Sequence, residues 1–240
     1  MDTEDLEKEA RKQRLTSFYE KKYAIGHGFS FRTVNYCVEA KNSFINGCFR
    51  SCIVSSATAV DQAFRTALYL SKNTEREYWR IKNMEFGAVI AQATKCPSLG
   101  KFKADADWLR EVRNHFAAHP SYICDYFQLK ELKQVSLANR IMVKEMKTLL
   151  RFLPRSFVEK HDIPGVGLKR LPSGEIVAMD VNLFRDLAKR FSPERETILS
   201  HGNYLTWAEL EHRALEEMAF MAYTKMIPIM NCLYLESTPN

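Results

Sequence analysis

The chain has 240 residues, 46% of them apolar, so it can hold one large or two small domains around a proper core, and disorder is excluded as its default state. Its net charge is +6, and residues 101–170 alone carry 14 Lys/Arg against 8 Asp/Glu, a surplus of six. A basic surplus concentrated in one segment suits a polyanionic partner better than an acidic one.

Most of the chain reads as helix. Residues 1–22 mix both charges and have no apolar run, which excludes a secretory signal; residues 4–23 predict an amphipathic helix, stopped by Gly26-His27-Gly28. This defines an N-terminal helical arm, residues 1–29. A second helix is expected over about 33–46, with Gly47 breaking or bending the chain before the next. Residues 48–71 are small and apolar, and Ser51, Ser55, Ala59 and Ala63 form a narrow face that allows close packing against a neighbour or a second copy. One helix is expected over 75–94, with Phe86, Val89, Ile90 and Ala93 at helical spacing; Cys96-Pro97-Ser98-Leu99-Gly100 ends it. Further helices are expected at 104–118 and 129–153.

The texture then changes. Residues 154–180 hold Pro154, Pro164, Gly165, Gly167, Pro172 and Gly174, and the runs 167–171 and 175–179 flank Pro172-Ser173-Gly174 as a small β-hairpin would. Helices return at 182–191 and 205–235, the latter opened by Thr206 as N-cap, with Glu209 completing a capping box. Lys225, Pro228 and Asn231 interrupt the apolar stretch 218–235, which makes it a core or interface helix and not a membrane span. The expected fold is all-α: a helical bundle over 30–153, followed by a hairpin and C-terminal helical extension over 154–240. Six cysteines, at 37, 48, 52, 96, 124 and 232, show no paired ligand spacing and read as reduced, mostly buried thiols of a cytoplasmic protein.

The string Trp108-Leu109-Arg110-Glu111-Val112-Arg113-Asn114-His115-Phe116-Ala117-Ala118-His119-Pro120 carries the chemistry. Arginine offers a permanently charged planar fork for phosphate oxygens, and histidine exchanges a proton near neutral pH. On an ideal helix Arg113 and His119 stand about 240° apart, but Pro120 drives His119 out of the α region, so its ring can turn back toward the arginine. A second spacing, Arg110 with His115, gives the same residue types. The plain alternative makes Arg113 a surface residue and His119 a cation favoured by the helix dipole. His115 and His119 also have i, i+4 spacing, with Cys124 or Asp125 close in sequence, but Phe116 stands where a metalloprotease helix has Glu, and no metal site or other cofactor is expected.

The helical order and this string together resemble the HEPN superfamily, an all-α domain whose ribonuclease members carry Arg, four to six residues, then His. The likeness covers about residues 30–153. Its carriers are Arg113 to His119 with a polar Asn114 after the arginine, the small-residue helix FRSCIVSSATAVDQAFRTALYL with Asp61 at a position often acidic, and the preceding segment EFGAVIAQA. The resemblance implies a metal-independent endoribonuclease that acts as a homodimer, with two motifs facing one another across a cleft. RNA supplies its own 2′-OH nucleophile, leaving the protein to move protons and to stabilise phosphate charge. His119 would do the first and Arg113 the second; Asn114 would orient the phosphate or the histidine, and Asp61 would hold Arg113 through a charge-assisted pair. Lys101, Lys103 and Tyr122 would bind the RNA strand. Relatives of this size are often toxins or phage-defence effectors, so an antitoxin or regulatory protein is an expected partner and a membrane is not. A non-catalytic RNA- or nucleotide-binding module, or a helical interaction protein, are the competing expectations.

Overall fold

The computed structural model describes residues 3–16, 30–72, 74–117, 151–154, 156, 168–170, 176–178 and 207–236. These are predominantly helical, as expected for an all-α protein. The expected helix 182–191, the Thr206 cap and all but the last residues of the expected helix 129–153 lie outside them. The chain forms two compact units, residues 1–119 with 218–240, and residues 120–217.

In the first unit, α1 (Thr3–Thr16) and α2 (Phe31–Ile45) precede α3 (Phe49–Lys72), the long helix against which α2 and most of the following helices pack. Ser30 caps α2, its Oγ accepting from the Thr33 N–H at 3.2 Å, which satisfies one of the donors every helix start leaves open. Gly47 then turns the chain with φ +75°, a left-handed conformation that costs a side chain and suits glycine. The turn also packs on Arg11, which is 8% exposed. Its guanidinium donates to the Ile45 carbonyl at 3.1 Å and to Glu7 at 2.8 Å, so α1 is latched onto the C-terminal end of α2.

Helix α3 is the axis of the core: Cys52, Ile53, Ala57, Ala59, Val60 and Phe64 are fully buried, with Ala63 nearly so. A fully buried Ile or Phe stabilises by about 1.5–3 kcal/mol, against about 0–1 kcal/mol for an exposed ion pair, so apolar burial holds this helix. Ser55, Ala59 and Ala63 do form a close-packing face, but it is spent within the protomer, and only Ser51 of that set is exposed. A second copy therefore finds no small-residue surface there. Cys52 donates to the Ala219 carbonyl at 3.5 Å, and burial pushes its thiol up to about 12. That thiol is structural. Cys37 is buried too, whereas Cys48 and Cys96 are exposed, which corrects the expectation of mostly buried thiols.

The expected single helix 75–94 is two: α4 (Glu75–Lys82), capped by Thr74, and α5 (Phe86–Ala93). The break has an identifiable cause. Arg65 of α3 donates to the carbonyls of Ile81, Lys82 and Met84, supplying from outside the partners that a continuing helix would have supplied from within. After the single turn α6 (Pro97–Gly100), α7 (Lys103–Val112) buries Ala106, Leu109 and Val112. Arg113–Ala117 continues as a π-helical turn, not as the α-helix expected to run to 118.

The last helix, α8 (Trp207–Glu236), joins the first unit from residue 218 onward. Met218, Ala222, Tyr223, Met226, Ile229 and Met230 are buried, and Lys225 is ion-paired with Asp105 of α7. The sequence places this stretch in a separate C-terminal region; in the fold it fills the core of the N-terminal one. Exposed Pro228 lies inside the helix, where it cannot donate to the Thr224 carbonyl. Among the described residues no helix is long and apolar enough to cross a membrane. In the second unit, β1 (Leu168–Arg170) and β2 (Ile176–Ala178) pair antiparallel, with Leu168 opposite Ala178.

Candidate functional site

The motif begins where α7 ends. Arg110 and Arg113 are three residues apart and so share one edge of the helix, and both reach the first turn of α5. The Arg113 guanidinium lies over Phe86, 5.3 Å from the ring centroid, a cation–π contact. Arg110 lies over the next residue, Gly87, where an added Cβ would stand 2.8 Å from its Nη1. Glycine at 87 is thus what lets the second guanidinium approach α5.

These two cations are incompletely countered. The nearest carboxylate oxygens to Arg110 are those of Glu111 and Asp107, at 3.7 and 3.9 Å, and its buried Nε has no hydrogen-bond partner. Arg113 donates from Nε and Nη2 to Asn114 Oδ1 at 3.4 and 3.3 Å, both long. It is half-buried, while Asn114 and His115 are exposed. The π-helical turn widens the backbone at this point, an irregularity frequent at functional sites. The N-terminal end of α5 adds its own partial positive charge, which raises the local attraction for an anion. Exposed Glu85, at the N-cap of α5, makes no side-chain capping bond.

Asp61 takes a different position from the one expected. Its carboxylate accepts from Arg65 Nε at 2.8 Å and Nη2 at 3.2 Å, one helical turn along α3, and not directly from Arg113. Burial pushes the Asp61 carboxyl above the usual carboxylate range, against the hydrogen bond and charge of Arg65 and the through-space charge of Arg113. Asp61 and Arg113 are therefore electrostatic neighbours without being a pair. Arg65 is the residue the sequence reading missed, although an acid followed four residues later by arginine on a helix is a legible pairing signal.

Of the expected strand-binding residues, Lys101 stands over the Phe102 ring at 5.0 Å, and Lys103 is exposed and paired with Asp107 at 2.7 Å. His119, Tyr122, Cys124 and Asp125 lie outside the described residues. Among the described residues no three His, Cys, Asp or Glu side chains are grouped as metal ligands. Comparison of the chain with protein-family models, with curated proteins and with solved structures finds no match in any of the three.

Proposed function

We propose that the protein is a metal-independent endoribonuclease built as a HEPN-like helical bundle, working as a homodimer and serving as a toxin or phage-defence effector. The observation that carries this reading is the convergence of Arg110 and Arg113 on the first turn of α5, two guanidinium groups with only long hydrogen bonds or ion pairs to spare them. Beyond the Arg113 contact with Phe86, packing alone does not call for two such cations beside another helix's positive end. A phosphodiester would supply the missing acceptors.

In the proposed reaction the 2′-OH attacks the adjacent phosphorus and the 5′-oxygen leaves. His119 moves the proton, Arg113 stabilises the charge that develops on the phosphoryl oxygens, and Asn114 orients the phosphate. Asp61 acts on Arg113 only through its field, as part of the Arg65 network. The products are a 2′,3′-cyclic phosphate and a 5′-hydroxyl. One motif offers few groups, so a second copy facing it completes the cleft, and an antitoxin or other regulatory protein would act by covering it.

The test is cleavage of total cellular RNA by the full chain in the presence of a chelator, with end-group analysis of the products and light scattering for the oligomeric state. Cyclic phosphate ends made by a dimer in chelator are expected. Retained RNA binding without cleavage would leave the non-catalytic binding module, for which the same cationic pair suffices.

A further inference from the structure

Helix α4 carries aromatic surface that the packing of its unit does not use. Trp79 is 50% exposed and Tyr78 42%, with ring centroids 5.4 Å apart at 79°, and Tyr69 of α3 meets Tyr78 edge-on at 5.4 Å. Cations are interleaved with the rings. The Lys82 ammonium stands 4.6 Å from the Trp79 centroid, and Arg76 and Arg80 are exposed on the same helix. Next to this face, α3, α4, α5 and α6 line an open pocket of about 610 Å³ that includes Glu77, Arg80, Gln92, Lys95, Leu68 and Leu99. Arg80 is held there by Glu77 at 2.7 Å and approaches Gln92 Oε1 at 3.5 Å.

Rigid aromatic rings with positive charge between them suit a ligand that alternates flat apolar faces with negative charge, and a single-stranded nucleic acid is that ligand. An acidic peptide matches the cations but leaves the rings without flat partners. A duplex matches the charge but keeps its bases stacked within itself. We propose that Tyr78, Trp79 and Lys82, continued by Arg80 and Lys95 at the pocket, form a docking platform for single-stranded nucleic acid: bases stack on the rings and phosphates meet the cations. The choice of RNA as the physiological strand rests on the endoribonuclease reading. The platform is tied to the motif by one side chain, since Arg65 holds the carbonyl end of α4 and also Asp61, whose carboxyl feels the charge of Arg113.

The experiment measures fluorescence anisotropy of the full chain with a labelled 2′-deoxy oligonucleotide of about a dozen nucleotides, which spans the site size of known single-strand binders and cannot be cleaved by 2′-OH attack. Trp79→Ala with Tyr78→Ala is expected to weaken binding about ten-fold or more, Trp79→Phe to stay near wild type, and the matching duplex to bind more weakly than the strand. Lys82→Glu with Arg80→Glu, at exposed positions, is expected to weaken binding and flatten its salt dependence even if the aromatic variant is poorly folded. The proposal is overturned if the strand does not bind, if both double variants bind like wild type, or if they change only the oligomeric state, which would make the face an interface between copies. RNA cleavage by Arg113→Ala is read in parallel. Binding that depends on Trp79 in a protein that never cleaves RNA sinks the nuclease reading alone, and Arg113-dependent cleavage with Trp79-independent binding sinks the platform alone.

Discussion

Arg65 on α3 and Arg113 at the end of α7 are the same side chain put to opposite uses. Arg65 is consumed by architecture: its guanidinium makes hydrogen bonds to both Asp61 oxygens and to the carbonyls of Ile81, Lys82 and Met84. Arg113 has two long bonds to an exposed neighbour and a stack on Phe86. An arginine whose donors are all engaged holds a fold together, whereas one whose fork is only loosely engaged at a surface is available to an anion. Residue type and charge are equal in the two regions; the number and quality of acceptors within reach separates them.

The largest expected effect tests the second half of that contrast. Arg113→Ala and His119→Ala should each lower RNA cleavage by about 10²–10⁴-fold, measured as initial rates on a defined single-stranded substrate, with thermal unfolding close to wild type. A large loss of stability in Arg113→Ala would erase the distinction by making Arg113 structural like Arg65. His115→Ala is the matched control and should leave cleavage essentially unchanged; if it abolishes cleavage while His119→Ala does not, the working pair is Arg110 and His115.

The first half of the contrast is tested by stability. Arg65→Ala leaves the Asp61 carboxylate without its counter-charge in a largely buried site and three carbonyls without their donor, which costs about 3–5 kcal/mol. For a protein of this size that lowers the Tm by roughly 6–20 °C, read by calorimetry. A smaller loss is expected for Gly47→Ala, about 1–2 kcal/mol, because position 47 is left-handed; the new Cβ itself would make only an ordinary contact with Arg11. Chemical denaturation of that variant should show the loss with no change in cleavage.

The smallest effect concerns pH. Because burial raises the Asp61 carboxyl in the folded protein, folding favours its protonated form; this contribution is full below the unfolded value near 3.8 and is lost as pH rises through the folded value. Asp61→Asn removes that titration. The Tm of wild type relative to Asp61→Asn should therefore fall as pH rises through the carboxylate range and level off above it. A difference that grows in favour of wild type over the same range would mean that Arg65 and Arg113 outweigh desolvation.

How far these features were legible follows from the range of the interactions behind them. The stop at Gly47, the burial of Phe86, Val89, Ile90 and Ala93, and the apolar α8 face all follow from local pattern. The break at 83–85 does not, because the side chain that causes it lies 16 to 19 residues away on another helix. Asp61 shows the same limit in the candidate site: its sequence marks a helix acid, and only packing decides that Arg65 takes both of its oxygens.

By itself, then, the sequence determined what depends on near neighbours: helical periodicity, the glycine turn, and the grouping of Arg110, Arg113, Asn114 and His115 in one short segment. Tertiary structure decided what depends on meetings between distant segments. It buried the small-residue face of α3, drew residues 218–236 into the first unit, widened the helix at Arg113, and set two guanidinium groups over Phe86 and Gly87. The physical reason is that a side chain's partners within one turn are fixed by the helix repeat, while its partners across the core are chosen by which apolar faces pack together, and a single sequence states those faces without stating their pairing.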